Sequence, residues 1–110
     1  MILLPEELRA RLIANGAAET ETDHVPVLKL FNPLGAATWL ATELDADGDT
    51  LFGLADLGFG CPELGYVSLS ELASVRGRLG LPVEREFHFT PTMTLSAYAD
   101  EARAHGAIRA

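Results

Sequence analysis

The sequence predicts one α+β domain, an antiparallel sheet of about four to five strands with three helices. Apolar and polar residues alternate through much of the region from 25 to 89, which is typical of strands. Turn-forming residues separate these segments by short intervals, and both ends of the chain carry helix-forming segments. Strands joined by short turns form an antiparallel meander, and we expect the helices to pack on one side of it. The 110 residues suffice for one core and are too few for two.

The first helix is predicted at about residues 5–15. Pro5 suits the first helical position, and the two glutamates after it favour the positive end of the helix dipole. Gly16 is a typical stop. The polar and acidic segment that follows, residues 17–24, predicts a loop.

Four strands are predicted next. The first, Val25–Phe31, has apolar residues on both faces. A turn at residues 32–35 leads to the second strand, Thr38–Leu44. The third strand, Thr50–Leu57, and a short fourth strand, Leu64–Val67, follow.

The last third of the chain predicts two helices with a strand between them. Ser68 and Glu71 have the spacing of a capping box, which predicts a helix at about residues 69–76. The segment Val83–Phe89 shows the clearest alternation in the chain and predicts the fifth strand. An alanine-rich segment predicts the closing helix at about residues 95–105, ended by a glycine.

The second and third strands are joined by LDADGDTL, residues 44–51. Asp47-Gly48 is a favoured two-residue hairpin turn, because both central positions of such a turn need a positive φ. In that register Leu44 lies opposite Leu51, so both apolar side chains reach the same face. The pattern therefore predicts a β-hairpin at 44–51.

The same segment resembles a calcium loop, because aspartates stand where positions 1, 3 and 5 of an EF-hand need oxygen ligands. Counting from Asp45, however, position 6 is Thr50, where the loop needs glycine, and position 12 is Asp56 instead of glutamate. The flanking segments are predicted strands, whereas an EF-hand needs helices. The hairpin is therefore the favoured interpretation, and no metal or other cofactor is predicted.

The charge is negative and unevenly distributed. The formal net charge is −8, and residues 30–75, the acidic stretch, contain no lysine or arginine. This balance argues against direct binding of nucleic acid, which needs a basic face. Seven acidic residues lie in the acidic stretch: Glu43, Asp45, Asp47, Asp49, Asp56, Glu63 and Glu71.

Three arginines cluster shortly after the acidic stretch: Arg76, Arg78 and Arg85. Arg85 shares one face of the predicted fifth strand with apolar residues, as Lys29 does on the first strand. Such a charge usually lies at a strand edge, with its stem packed and its head in water. Alternatively, Arg85 acts with Arg76 and Arg78 to anchor an acidic partner or ligand group.

Signatures of catalysis are weak. The single cysteine, Cys61, precedes a proline in a glycine-rich loop, where a thiol is usually inert. The histidines His24, His88 and His105 lie far apart and form no ligand motif. We therefore expect the protein to act without catalysis, and the alternative, a small hydrolase or nucleotide-modifying enzyme, would need a deep pocket with convergent titratable groups.

The first residues contain neither a basic segment nor a long apolar one, so no secretory signal and no membrane span is expected. A single cysteine cannot form an internal disulfide, which fits a reducing compartment. These observations predict a cytoplasmic protein.

Several segments resemble the DUF2958 family, a family of unknown function. The run ELGYVSLSEL at residues 63–72, followed by SVRG at 74–77 and LGLPVER at 79–85, is similar to sequences of that family. Upstream segments resemble it in the same order: Phe31–Pro33, Thr38–Glu43 and Leu51–Gly53. The resemblance covers about residues 25 to 90. It implies a compact bacterial protein of a kind often carried on plasmids and other mobile elements, and it assigns no catalytic or binding residue.

The favoured function is a non-enzymatic accessory protein of a mobile element that binds an as yet unknown protein partner. A second hypothesis is an acidic decoy that occupies the DNA-binding site of a host defence protein, motivated by the acidic stretch. The candidate interaction residues are Glu43, Asp45, Asp47, Asp49, Arg76, Arg78 and Arg85.

Overall fold

A computed structural model describes residues 3–110, apart from the side chain of Arg78. This part of the chain has an α+β fold, as the sequence predicts. Its helices and strands, in chain order, are α1 (Glu6–Gly16), β1 (Leu28–Phe31), β2 (Thr38–Leu44), β3 (Thr50–Asp56), β4 (Glu63–Ser68), α2 (Leu69–Ser74), β5 (Glu84–Arg85) and α3 (Leu95–His105). None of these helices has the length and apolar character that crossing a membrane requires.

The five strands form one antiparallel sheet in the order β4-β3-β2-β1-β5. The first four strands are a meander, since each pairs with the next along the chain. The fifth returns across the domain to pair with β1. The two edges of the sheet are therefore β4 on one side and β5 on the other.

The helices lie on both sides of the sheet, and the expectation that they pack on one side is wrong. Trp39 and Leu40 of β2 point to opposite faces and belong to different buried clusters. The cluster on the α1 face comprises Leu12, Leu28, Leu30, Trp39, Ala41, Leu44, Leu51, Leu72 and Val83. The cluster on the α3 face comprises Leu40, Leu54, Leu95, Tyr98, Ala99 and Ala102. Both faces of the central strands are apolar, so each face needs its own cover.

The predicted fifth strand, Val83–Phe89, is also wrong in extent, because only Glu84–Arg85 is a strand. Val83 is buried as expected. After Arg85 the chain turns away, and the Glu86 carboxylate accepts a hydrogen bond from the backbone N–H of His88 at 3.0 Å. This local bond closes a turn at residues 87–88, so Phe87 is 63% exposed and does not continue the strand.

The first strand is shorter than predicted at its beginning. It starts at Leu28, three residues after Val25. Pro26 is buried and has no N–H to donate to a neighbouring strand. Regular pairing therefore begins only after it, with the N–H of Val27 donating to the carbonyl of Ala41 at 2.9 Å.

One extra residue, Thr42, forms a bulge in β2. Ala41 lies opposite Gly53 and Glu43 lies opposite Phe52, which leaves Thr42 without a partner across the ladder. Its carbonyl accepts a hydrogen bond from the side-chain amide of Asn15 at 2.9 Å. This bond ties the end of α1 to the middle of β2.

Candidate interaction site at the β4 edge

The strand β4 is a bare edge of the sheet. It has six residues and pairs with β3 along its whole length, and no other strand in residues 3–110 pairs with its outer side. Two apolar side chains of this edge are accessible to solvent: Tyr66 is 77% exposed and Leu64 is 38% exposed. Proteins usually shorten, charge or cover such an edge, because its free N–H and C=O groups can pair with another chain.

The outward backbone groups of β4 belong to Leu64 and Tyr66. The N–H of Leu69 donates to the carbonyl of Asp49 at 2.8 Å, which fixes the phase of the β3–β4 ladder. In an antiparallel pair, hydrogen-bonded and non-hydrogen-bonded positions alternate. Every second residue before Leu69 therefore bonds to β3, and these residues are Val67, Gly65 and Glu63. Leu64 and Tyr66 lie between them and direct their N–H and C=O groups away from β3.

On the α1 face, a groove of about 160 Å³ runs across the strands from β4 toward β1. Its floor is a row of small residues, Ala41, Gly53 and Gly65, which lie side by side on three strands. Trp39 and Leu51 line the groove on either side of this row. A Cβ at Gly53 would overlap the carbonyl oxygen of Leu40, whereas a Cβ at Gly65 would meet no atom within 4 Å. The groove is therefore closed at its centre and roomy at the β4 edge.

On the α3 face, Glu43, Phe52 and Tyr66 form one row across β2, β3 and β4. The rings of Phe52 and Tyr66 are in contact, with centroids 5.1 Å apart and planes at 53°. Glu43 and Asp45 lie beside them in a depression of about 330 Å³. We call this the acidic–aromatic depression; its lining residues are Gly16, Glu43, Asp45, Thr50, Phe52 and Tyr66.

The carboxylate of Glu43 has no hydrogen-bond or ion-pair partner among the side chains that the structure describes. Asp45 accepts only the N–H of its neighbour Ala46, at 2.8 Å. Both are therefore available to a ligand. Two carboxylates beside an aromatic pair with one exposed ring are a combination that attracts a cation, because the faces of the rings are also negative.

The other two candidate aspartates, Asp47 and Asp49, are held by the protein itself. Asp47 accepts the backbone N–H groups of Asp49 and Thr50 at 2.8 and 2.9 Å, and the hydroxyl of Thr50 at 2.6 Å. The hydroxyl and the two N–H donors lower the pKa of Asp47. The acidic tip of the hairpin is therefore partly used to hold its own turn.

Asp49 joins the hairpin to the start of α2. Its carboxylate accepts the hydroxyl of Ser68 at 2.6 Å and the N–H of Ser70 at 2.8 Å, and the Ser68 hydroxyl in turn accepts the N–H of Glu71 at 3.2 Å. The bond from the Ser68 hydroxyl, followed by that from Ser70, lowers the pKa of Asp49. The capping prediction for Ser68 is confirmed, and Asp49 extends the cap from a distant part of the sequence.

The hairpin prediction is confirmed in register and corrected in turn geometry. Leu44 lies opposite Leu51, as expected. The loop is wider than a two-residue turn, because Gly48 donates to the carbonyl of Asp45 at 2.9 Å and Asp45 donates to that of Thr50 at 2.9 Å. Gly48 has a positive φ of 75°, and Asp47 does not. The bonds that Asp47 accepts stabilise this wider loop.

Arg76 has local partners at the end of α2. Its guanidinium donates to the carbonyls of Ala73 and Val75, both at 2.9 Å. These carbonyls have no helical partner of their own, so the arginine closes the helix. A shared anchor formed by Arg76, Arg78 and Arg85 stays a prediction, because the side chain of Arg78 lies outside the described residues.

Arg85 is packed in the β5 edge. Its guanidinium lies over the ring of Phe87, 4.3 Å from the centroid. Its Nε is buried without a hydrogen-bond partner in the described part of the chain. The packed stem agrees with the structural interpretation of Arg85, whereas the buried Nε differs from the expectation that its head lies in water.

Metal-ligating residues do not gather anywhere in residues 3–110, since no three His, Cys, Asp or Glu side chains there are placed to hold an ion. Asp56, at position 12 of the rejected calcium loop, is buried and accepts the N–H groups of Gly58 and Ile108 at 2.9 and 3.0 Å. It fixes the end of β3 to the segment after α3. Cys61 is exposed.

The residues that the sequence interpretation missed are Leu64, Phe52 and Tyr66. The sequence predicted a short strand at Leu64–Val67, but a local pattern does not show that β4 has no outer neighbour. Glu43 and Asp45 were predicted as interaction residues from charge alone. The structure adds the aromatic pair that lies between them and the edge.

These features define a small α+β domain with a bare sheet edge and a depression of acidic and aromatic residues beside it. The family model described as "Protein of unknown function (DUF2958)" matches residues 3–109, beyond the part in which the resemblance was evident. The chain therefore belongs to the DUF2958 family. No curated protein and no solved structure matches it.

Proposed function

We propose that the protein is a non-enzymatic accessory protein of a bacterial mobile element, and that it binds a cytoplasmic partner protein by extending its sheet at β4. The observation that carries the proposal is the bare six-residue edge with Tyr66 77% exposed. Edge strands of this kind bind an extended segment through main-chain hydrogen bonds, and neighbouring pockets select its side chains. The mobile-element setting is supported only by the sequence resemblance.

The exposed apolar surface continues beyond the strand. Phe59, in the loop before β4, is 82% exposed, and Leu57 is also exposed. Together with Leu64 and Tyr66 they give this end of the domain a concentration of accessible apolar side chains. Exposed apolar surface that is grouped is characteristic of interaction sites, whereas isolated exposed residues are ordinary.

The two other hypotheses have less support. The groove on the α1 face is lined mainly by apolar residues, with Glu63 as its single carboxylate, so it lacks the convergent titratable groups of a hydrolase site. In the acidic stretch, Asp47 and Asp49 are occupied by local donors and Asp56 is buried. A decoy of DNA would need these carboxylates in regular exposed rows.

In-cell photo-crosslinking tests the proposal. A photoreactive phenylalanine analogue replaces Tyr66 or Leu64 in separate variants, and two exposed residues away from β4, Leu79 and Phe87, serve as matched control positions. We expect a discrete adduct, of the mass of this chain plus one partner, from positions 64 and 66.

Adducts of equal yield at positions 64, 66, 79 and 87 would contradict the proposal, because they would indicate collision without a defined site. The same holds if positions 64 and 66 give no adduct while the protein is folded and abundant. A second control is a proline at position 65, whose N–H is bonded to β3; it should unfold the edge and remove the adduct.

A further inference from the structure

We infer that the segment that occupies the β4 edge is basic at one position: it places a lysine or arginine opposite Tyr66 and an apolar residue two positions away, opposite Leu64. This inference rests on the proposed function and names the chemistry of the partner. It is carried by the backbone of β4, by the acidic–aromatic depression and by the groove on the other face.

The backbone of β4 sets the register of the added strand. Leu64 and Tyr66 direct their N–H and C=O groups outward, and their side chains both lie on the α3 face. A strand that pairs with this edge places alternate side chains beside Leu64 and Tyr66 on that face. The side chain between them lies on the α1 face, beside Gly65.

The surroundings of Tyr66 select a cation. Tyr66 is exposed and contacts the half-buried Phe52, and Glu43 lies on the far side of Phe52 in the same row, without a partner among the described side chains. Asp45 lines the same depression. A lysine or arginine beside Tyr66 would contact the ring face, and the charges of Glu43 and Asp45 on the same face of the sheet would add to that attraction.

The surroundings of Leu64 and Gly65 select apolar groups. Leu64 is an accessible apolar side chain, so an apolar neighbour on the added strand would cover it. Beside Gly65 the groove is open, since no atom lies within 4 Å of a Cβ built there. A valine or leucine of the added strand fits this space. The inferred segment therefore has two adjacent apolar residues followed by a basic one, in one direction or the other.

A second copy of this chain is a poor occupant of the same edge. Each copy carries a net charge of −8. Pairing two β4 strands would join two acidic surfaces, and like charges oppose association. Charge complementarity therefore favours a basic segment of a different protein.

Titration of the ¹⁵N-labelled protein with designed peptides tests the inference. The probe is the capped peptide Thr-Thr-Val-Val-Lys-Thr-Thr, and its matched controls carry norleucine or glutamate in place of lysine. We expect the lysine peptide to shift the amide resonances of residues 63–68, with Leu64 and Tyr66 becoming protected from hydrogen exchange. It should bind about threefold to tenfold more tightly than the norleucine peptide, and the glutamate peptide should bind most weakly.

Two variants locate the cation. Tyr66→Leu should weaken the lysine peptide about threefold to fivefold, and Glu43→Gln, whose charge lies two strands away from β4, about twofold. Both should leave the norleucine peptide nearly unchanged. Glu19→Gln removes the same charge from an exposed loop and is the control for net charge. Glu43→Gln should also reduce the dependence of binding on salt.

The inference fails if the lysine peptide gives no shift in residues 63–68 at about 1 mM, the limit of weak binding. It also fails if the glutamate peptide binds as well, if Glu19→Gln acts like Glu43→Gln, or if the β4 amides shift with protein concentration alone, which would identify a second copy as the occupant. A crosslinked partner at position 66 with no peptide preference would overturn this inference and leave the proposed function standing. Selective binding of the lysine peptide without any adduct in cells would instead overturn the proposed function and leave only the preference of the edge for a basic strand.

Discussion

The two edges of the sheet differ in how they meet the solvent. β5 has two residues, and beyond it the chain folds into a turn with Arg85 lying over Phe87. β4 has six residues, no strand outside it among residues 3–110, and an exposed tyrosine at its centre. A short strand with a charged side chain resists pairing with another chain, whereas a long bare strand permits it. The sheet is thus protected at one edge and open at the other.

The largest expected effect is a difference in the free energy of unfolding between a substitution in the interior strand β3 and one in the open edge strand β4. Gly53→Ala should lower the free energy of unfolding by about 3 kcal/mol, because the added methyl overlaps the Leu40 carbonyl in a packed interior. Gly65→Ala should change it by less than about 1 kcal/mol and in the stabilising direction, because there is space at the edge and alanine restricts the unfolded chain.

Urea denaturation of both variants measures the difference directly. Similar losses for Gly53→Ala and Gly65→Ala would mean that the open space beside Gly65 does not exist in solution. Such a result would remove the groove from the β4 edge and weaken the contrast with the interior strand.

An intermediate effect is expected at the protected edge. Arg85→Ala should lower the free energy of unfolding by about 1 kcal/mol, since it removes both the packed stem and the contact with Phe87. Arg85→Met should cost less, because it keeps the stem and removes a buried Nε that has no partner in the described residues.

A double-mutant cycle with Phe87→Ala isolates the contact. We expect a coupling of about 0.5–1 kcal/mol between the two side chains. Zero coupling would show that the guanidinium does not hold the turn after β5. Protection of that edge would then depend on its shortness alone.

The smallest expected effect concerns the anchor of β4 and depends on pH. Bonds from Ser68 and Ser70 keep the pKa of Asp49 below its ordinary value of 3.8 in the folded protein. The stabilisation is therefore complete above that value and is lost as the pH falls through the lower pKa of the folded state. Asp49→Asn should flatten the acid side of the stability curve below about pH 4.

The measurement is the thermal unfolding temperature of the unchanged protein and of Asp49→Asn from neutral to acidic pH. Glu19→Gln, in a loop, is the matched charge control. An unchanged acid slope in Asp49→Asn would show that the carboxylate does not hold the end of β4. The fold should survive in every case, since the affected carboxylate is on the surface.

The sequence predicted the central part of the sheet well and its edges poorly. The pairing of Leu44 with Leu51 follows from local alternation and a turn signal, which are both contained in a few residues. Val83–Phe89 alternates more clearly than ELGYVS, yet the former is the shorter strand. Strand length at an edge depends on which neighbour is present, and a local pattern carries no information about neighbours.

The candidate site was predicted in its charges and not in its geometry. The acidic stretch identified Glu43 and Asp45 from composition. That Asp49 holds the fold, whereas Glu43 and Asp45 stay available, could not be predicted. The Ser68 hydroxyl that donates to Asp49 is 19 residues away in the sequence. The contact of Phe52 with Tyr66 depends on register between two strands, and the position of Glu43 beside them depends on a bulge that has no sequence signature.

That bulge also gives the first helix an attachment point on β2. In a regular ladder Thr42 would lie opposite Phe52 and Glu43 would face the α1 side, so the bulge turns Glu43 to the α3 side. What the extra residue supplies is a carbonyl outside the ladder, which Asn15 uses to attach α1. The bulge therefore has two consequences from one residue: it places a carboxylate beside the aromatic pair and holds the end of α1, which itself lines the same depression through Gly16.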